Sequence, residues 1–186
     1  VYTLNISLKI YKKQNDISMY LAGIKIVSDI MERELFYAVP MNNTTIVGTA
    51  DQLYFFAPRV FPETDYPFNK ITYSAKKDEN SLAYIEKTTE NPFAEKKEGQ
   101  SSGLSYIYRA DTFIKDISFE YFQGKKGEEE EKESFEGEWK NEWDEEFYPD
   151  ALKINFTIIK GQEEIPSYSI IVLKGLWDKN EGKKED

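Results

Sequence analysis

Neither cysteine nor histidine occurs among the 186 residues of this chain. The first absence excludes a disulfide framework and a thiolate metal site, and leaves the redox compartment undecided. The second removes the commonest general base and the usual zinc ligand, so carboxylate pairs, lysine, tyrosine and serine are the remaining catalytic candidates. Positive charge is also in short supply, with 24 Lys and Arg against 34 Asp and Glu, a net charge of −10. A phosphate backbone is met by a basic stripe, so no nucleic-acid partner is expected. Nor is there an apolar run near the ~20 residues that span a bilayer, or a cleavable signal pattern, and the chain as it stands reads as soluble.

What the chain does hold is aromatic: 13 Tyr and 12 Phe, half-polar rings that suit the faces of an antiparallel sheet. The length fits one domain with one core. From Asp16 to Ala38 the residues Ile17, Tyr20, Leu21, Ile24, Val27, Met31 and Leu35 keep the three-and-four spacing of a buried helical stripe. Asp16 is placed to cap that helix, Asp29 and Arg33 sit one turn apart, and Pro40 closes it. Residues 1–15 also admit helical spacing at Leu4, Leu8 and Tyr11, although Leu4, Ile6, Leu8 and Ile10 alternate as in a strand. Taken as helix, the element runs over about 3–38 and exceeds about 50 Å, so its front half is expected to project from the domain.

Beyond Pro40 the pattern is that of strands, at Leu53–Ala57, Lys70–Ala75, Ala83–Thr88, Leu104–Tyr108, Ile117–Phe122, Leu152–Ile159 and Tyr168–Lys174, separated by turn-forming stretches. The last two read as an antiparallel hairpin across KGQEEIPS, and the links are too short or too polar for parallel crossover helices. The expected fold class is therefore α+β, a long N-terminal helix packed on antiparallel β-sheets. Residues 1–177 form a single domain in this reading, with the β-region over about 46–175. An acidic segment at 124–146 reads as a solvated loop and 178–186 as a disordered tail.

Three chemical patterns are weak. Glu128 to Glu131 and Glu142 to Glu146 could gather calcium, but they lack the spacing of a calcium loop, and adjacent glutamates repel; no metal site is assigned. Glu138 with Asp144, beside Trp139 and Trp143, resembles a glycosidase carboxylate pair, yet every neighbour is charged and nothing would raise one pKa. Ser74-Ala75-Lys76-Lys77 has a Ser-x-x-Lys spacing, but at the end of a strand rather than the start of a buried helix. Neither a catalytic residue nor a cofactor is expected. The exposed apolar residues at Leu4, Leu8 and Tyr11 point instead to a partner.

The order of "IVSDIMERELFYAVP", "DQLYFFAPR", "ADTFIKDISFEYF", "EWKNEWD" and "FYPDALKINFTI", covering residues 17 to about 174, resembles the J-type minor pseudopilins of the bacterial type II secretion system. The resemblance implies a pilin-like fold without enzymatic activity, a structural subunit for protein transport. Such a subunit assembles with other minor pseudopilins at the tip of a periplasmic pseudopilus, through its N-terminal helix. It also implies a hydrophobic segment ahead of Val1, which would make this chain the periplasmic domain of a protein anchored in the inner membrane. By that likeness the partner-binding residues are Leu4, Leu8, Tyr11, Asn15 and Ser18, with Leu21, Ile24, Met31 and Leu35 facing the core. Minor pilins of type IV pili share much of the pattern. A carbohydrate-binding β-domain using Trp139, Trp143 and Tyr148 as stacking surfaces stands as the alternative from another class.

Overall fold

Alternation of buried and half-buried residues marks several of the strands, most regularly Ala83–Glu90, where every second side chain is buried. The computed structural model describes residues 24–41, 45–58, 67–93, 104–108, 113–124 and 137–173. Within these, the strands in chain order are β1 (Ile46–Gly48), β2 (Gln52–Pro58), β3 (Phe68–Lys77), β4 (Ala83–Glu90), β5 (Leu104–Tyr108), β6 (Ile114–Gly124), β7 (Gly137–Lys140), β8 (Trp143–Asp144), β9 (Ala151–Lys160) and β10 (Glu163–Val172). They form two antiparallel sheets, one ordered β5-β4-β3-β2-β1-β8 and the other β10-β9-β6-β7. The inward faces share one core, in which Phe55 and Tyr73 of the larger sheet and Phe119, Tyr121, Ile154 and Phe156 of the smaller are buried.

The expected α+β fold on a long N-terminal helix is overturned. Among the described residues a single helix, α1, runs over 24–35, about 18 Å long, and no long helix lies on the sheets. The molecule is mostly β. The part of the expected helix over 3–23 lies outside the described residues. Ile24, Val27, Met31 and Leu35 form the buried stripe of α1, and helix stability in a protein comes chiefly from such a docked face, which here accounts for the three described turns. The α1 ladder then tightens, with Tyr37 N–H donating to Glu34 O and Ala38 N–H to Leu35 O, before Val39 bridges to Phe56. Asp29 pairs one turn back with Lys25 at 3.6 Å rather than forward with Arg33.

A charged group enters this apolar interface. Glu34, on the inner side of α1, accepts hydrogen bonds from Tyr73 Oη of β3 and Lys87 Nζ of β4. Both charged side chains are within 5 % of complete burial. A carboxylate and an ammonium buried together satisfy each other, and they set the rotation of α1 against two neighbouring strands.

The β9–β10 hairpin is tighter than its sequence suggests. Only Gly161 and Gln162 lie in the turn, and Gly161 takes φ +67°, the Gly-X arrangement of a type II′ turn. The second strand therefore starts at Glu163 and not at Tyr168, with Pro166 inside it. Proline is tolerated because β10 is the edge of its sheet and no outer ladder needs its missing N–H.

Two strands fall within the segment that reads as an acidic loop. β7 extends the smaller sheet beside β6, and two residues later β8 joins β1 at the edge of the larger one. The chain from 137 to 144 thus crosses between sheets. The Tyr148-Pro149-Asp150 step that follows is a clamp for β9: Asp150 Oδ2 accepts from Gly124 N–H at 2.7 Å, Asp150 N–H donates to Phe122 O, and Asp150 O accepts from Leu173 N–H. One residue thereby holds the ends of β6 and β10 at the start of β9.

The two sheets are in close contact at Gly48. Tyr121 of β6 lies over it and donates its hydroxyl proton toward Thr49 O at 3.1 Å, and a Cβ at position 48 would come within 1.8 Å of that hydroxyl oxygen. Gly48→Ala is expected to displace Tyr121 and lower stability by roughly 1–3 kcal/mol, the range of overpacked cores. Urea unfolding of the variant measures it, and a midpoint equal to that of the parent chain would show that Tyr121 moves without cost.

Candidate functional site

Cross-strand register sorts the outer face of the smaller sheet into rows, because directly paired residues point to the same side. Phe122 pairs with Trp139 of β7 and with Ala151 of β9, and Ala151 with Val172 of β10. The next row runs Glu120, Lys153, Ile170, and the one after it Ser118, Asn155, Tyr168. Lys153 therefore stands between two aromatic rows. Its ammonium lies 5.0 Å from the Trp139 ring centre and 5.9 Å from that of Tyr168.

The same ammonium donates to Glu120. That bond holds the Glu120 carboxyl below the usual glutamate value; burial opposes the shift, and a hydrogen bond from Asn155 adds to it. Trp139 packs on Phe122 with ring centres 5.1 Å apart. Trp139 remains 39 % exposed and Tyr168 64 %, so both rings keep surface open to solvent. Together with Asn155, Thr157 and Ile170 they line a shallow groove of about 510 Å³. Aromatic walls around a small, mutually satisfied polar centre are the ordinary make-up of a ligand groove.

The residues singled out from sequence scatter. Leu4, Leu8, Tyr11, Asn15 and Ser18, and the core residue Leu21, lie outside the described residues, as do Glu128 to Glu131 and the tail at 178–186. Of the three proposed stacking rings, Trp143 is 1 % exposed, its indole N–H donating to Phe147 O at 3.0 Å. Tyr148 is half-buried, and burial raises its hydroxyl pKa above the tyrosine norm. Only Trp139 faces outward among them, and Tyr168, on the other side of Lys153, comes from a strand that sequence reading treats as ordinary sheet. Glu138 and Asp144 belong to different sheets, Glu138 lying 3.7 Å from Lys140. Ser74 accepts from Gln52 and Lys77 pairs with Asp116 at 2.6 Å, on opposite faces of β3, so the Ser-x-x-Lys spacing does not bring serine to lysine. Among the described residues no group of three acidic side chains converges on one point.

A signal for the groove was present in the sequence, since Lys153, Asn155 and Thr157 occupy the non-core register of β9, but the partner strands could not be read. Comparison of the chain with protein-family models, with curated proteins and with solved structures finds no match.

Proposed function

We propose that this chain is a non-enzymatic assembly subunit, a minor pseudopilin of the J type acting in type II protein secretion from the periplasmic side of the inner membrane. The observation that carries the reading is the seating of α1. The stretch "IVSDIMERELFYAVP", which bears the resemblance, has its first ten residues in the pinned helix α1, with Glu34 held by Tyr73 and Lys87 and the apolar stripe of Val27, Met31 and Leu35 buried. A short helix locked in rotation at its C-terminal turn gives the chain ahead of it a defined point of departure, as an assembly arm requires. The second signature, "YPDALKINF", makes the Asp150 clamp at the head of β9.

In this proposal Leu4, Leu8, Tyr11, Asn15 and Ser18 contact neighbouring minor pseudopilins. No described helix is long and apolar enough to cross a membrane. Leu8→Asp and Tyr11→Ala are expected to reduce co-purification with the other minor pseudopilins by roughly tenfold or more while leaving the melting temperature unchanged. Loss of stability in step with loss of binding would place these residues in the core and remove the proposal.

A further inference from the structure

We propose that the groove on the outer face of the smaller sheet binds a short neutral oligosaccharide, with Trp139 and Tyr168 as the stacking rings. The assignment does not rest on the assembly reading, and it replaces the ring set suggested by sequence, two of whose members are turned inward.

Ligand chemistry follows from what the groove has already satisfied. Lys153 is neutralised by Glu120, so the centre offers no free charge for an anion, and the chain as a whole carries −10, which repels one. A cation would find the ring faces near Lys153 already beside an ammonium. A sugar ring has neither charge. It presents an apolar C–H face that fits an indole or phenol ring, and hydroxyl groups at its rim that both donate and accept. Glu120 is an acceptor, Lys153 a donor, and the Asn155 amide is both, all within the row between or beside the two rings. Trp139 and Tyr168 flank this polar centre from separate strands, so more than one sugar unit is needed to reach both.

Rigidity supports the same reading. Trp139 is backed by Phe122, and the rows are fixed by the pairing of β6 with β7, of β6 with β9 over 116–122, and of β9 with β10, so the rings are positioned before any ligand arrives.

The test is titration of the full chain with short neutral hexose and N-acetylhexosamine oligosaccharides, read by calorimetry and by tryptophan fluorescence. Binding by the parent chain is expected, weakened roughly tenfold by Trp139→Ala and similarly by Tyr168→Ala, a loss equivalent to about 1.4 kcal/mol each. Tyr168 is the more exposed of the two, and the melting curve of Tyr168→Ala should overlay that of the parent. Absence of binding to any of these oligosaccharides overturns the proposal, as does binding that both variants retain in full. Selective binding of extended peptides that neither substitution alters would identify β10 as a strand-adding edge instead, and would also overturn it.

Discussion

Lys87→Met is expected to destabilise the protein by roughly 3–5 kcal/mol, the cost of leaving a buried carboxylate without its counter-ion. Lys87 and Glu34 are 2 % and 5 % exposed, and once the ammonium is gone Glu34 retains the Tyr73 hydroxyl as its bonded partner in the triad. For a chain of this length the loss corresponds to a fall of roughly 6–20 °C in melting temperature. The double substitution Glu34→Leu with Lys87→Met removes both charges together and should recover most of that stability, because two apolar side chains can replace a buried ion pair with little net cost. Thermal and urea unfolding of the two single variants and the double variant form a cycle that measures the coupling. A double variant no more stable than Lys87→Met would mean that the pair contributes packing and not charge compensation. Since Glu34 is the link between α1 and the sheet, the same variants should loosen α1 first, visible as faster amide exchange over 27–35 than in β9.

Trp143→Ala carries the second large effect, an expected loss of roughly 3–5 kcal/mol. The indole is 1 % exposed, lies 6.3 Å from Tyr121 and 5.4 Å from Phe147 between ring centres, and fills the corner where β8 meets β1. Its N–H bond adds less than its volume. Phe147 O also accepts from Thr45 Oγ1 at 3.0 Å, so the carbonyl keeps a partner when the indole is lost. Trp143→Phe should therefore cost only about 1–2 kcal/mol, most of it from the smaller ring. Denaturant midpoints of the two variants separate volume from hydrogen bonding. Equal losses for both would put the stability in the N–H bond, contrary to the geometry. Because Trp143 lies in the larger sheet and the groove on the smaller, oligosaccharide binding should survive Trp143→Phe unchanged.

The two tryptophans show why part of the site was legible and part was not. Trp139 and Trp143 are four residues apart in a stretch of high charge, and nothing local separates them. The chain leaves one sheet after Lys140 and enters the other at Trp143, so one ring becomes surface and the other becomes core. Lys87 is a similar case. Alternation through Ala83, Ile85, Lys87 and Thr89 places it on the inward face, yet a lysine there reads as an exception until Glu34 is seen to approach from α1, 53 residues away in sequence. The expected long helix fails for the converse reason: apolar spacing reports which residues could share a face, and among the described residues only the turns over 24–35 form a docked helix.

By itself the sequence determined the β-rich composition, the positions of most strands through their period of two, the buried stripe of α1, and the want of histidine and cysteine chemistry. These are local properties, set by side-chain size and by alternation between neighbours a few residues apart. Tertiary structure alone decided the division into two sheets, the burial of Trp143, the Glu34–Lys87 pairing and the meeting of Trp139 with Tyr168 across Lys153. Each of those depends on strand order and register, which are chosen by the total burial of the assembled core and leave no mark on any single segment.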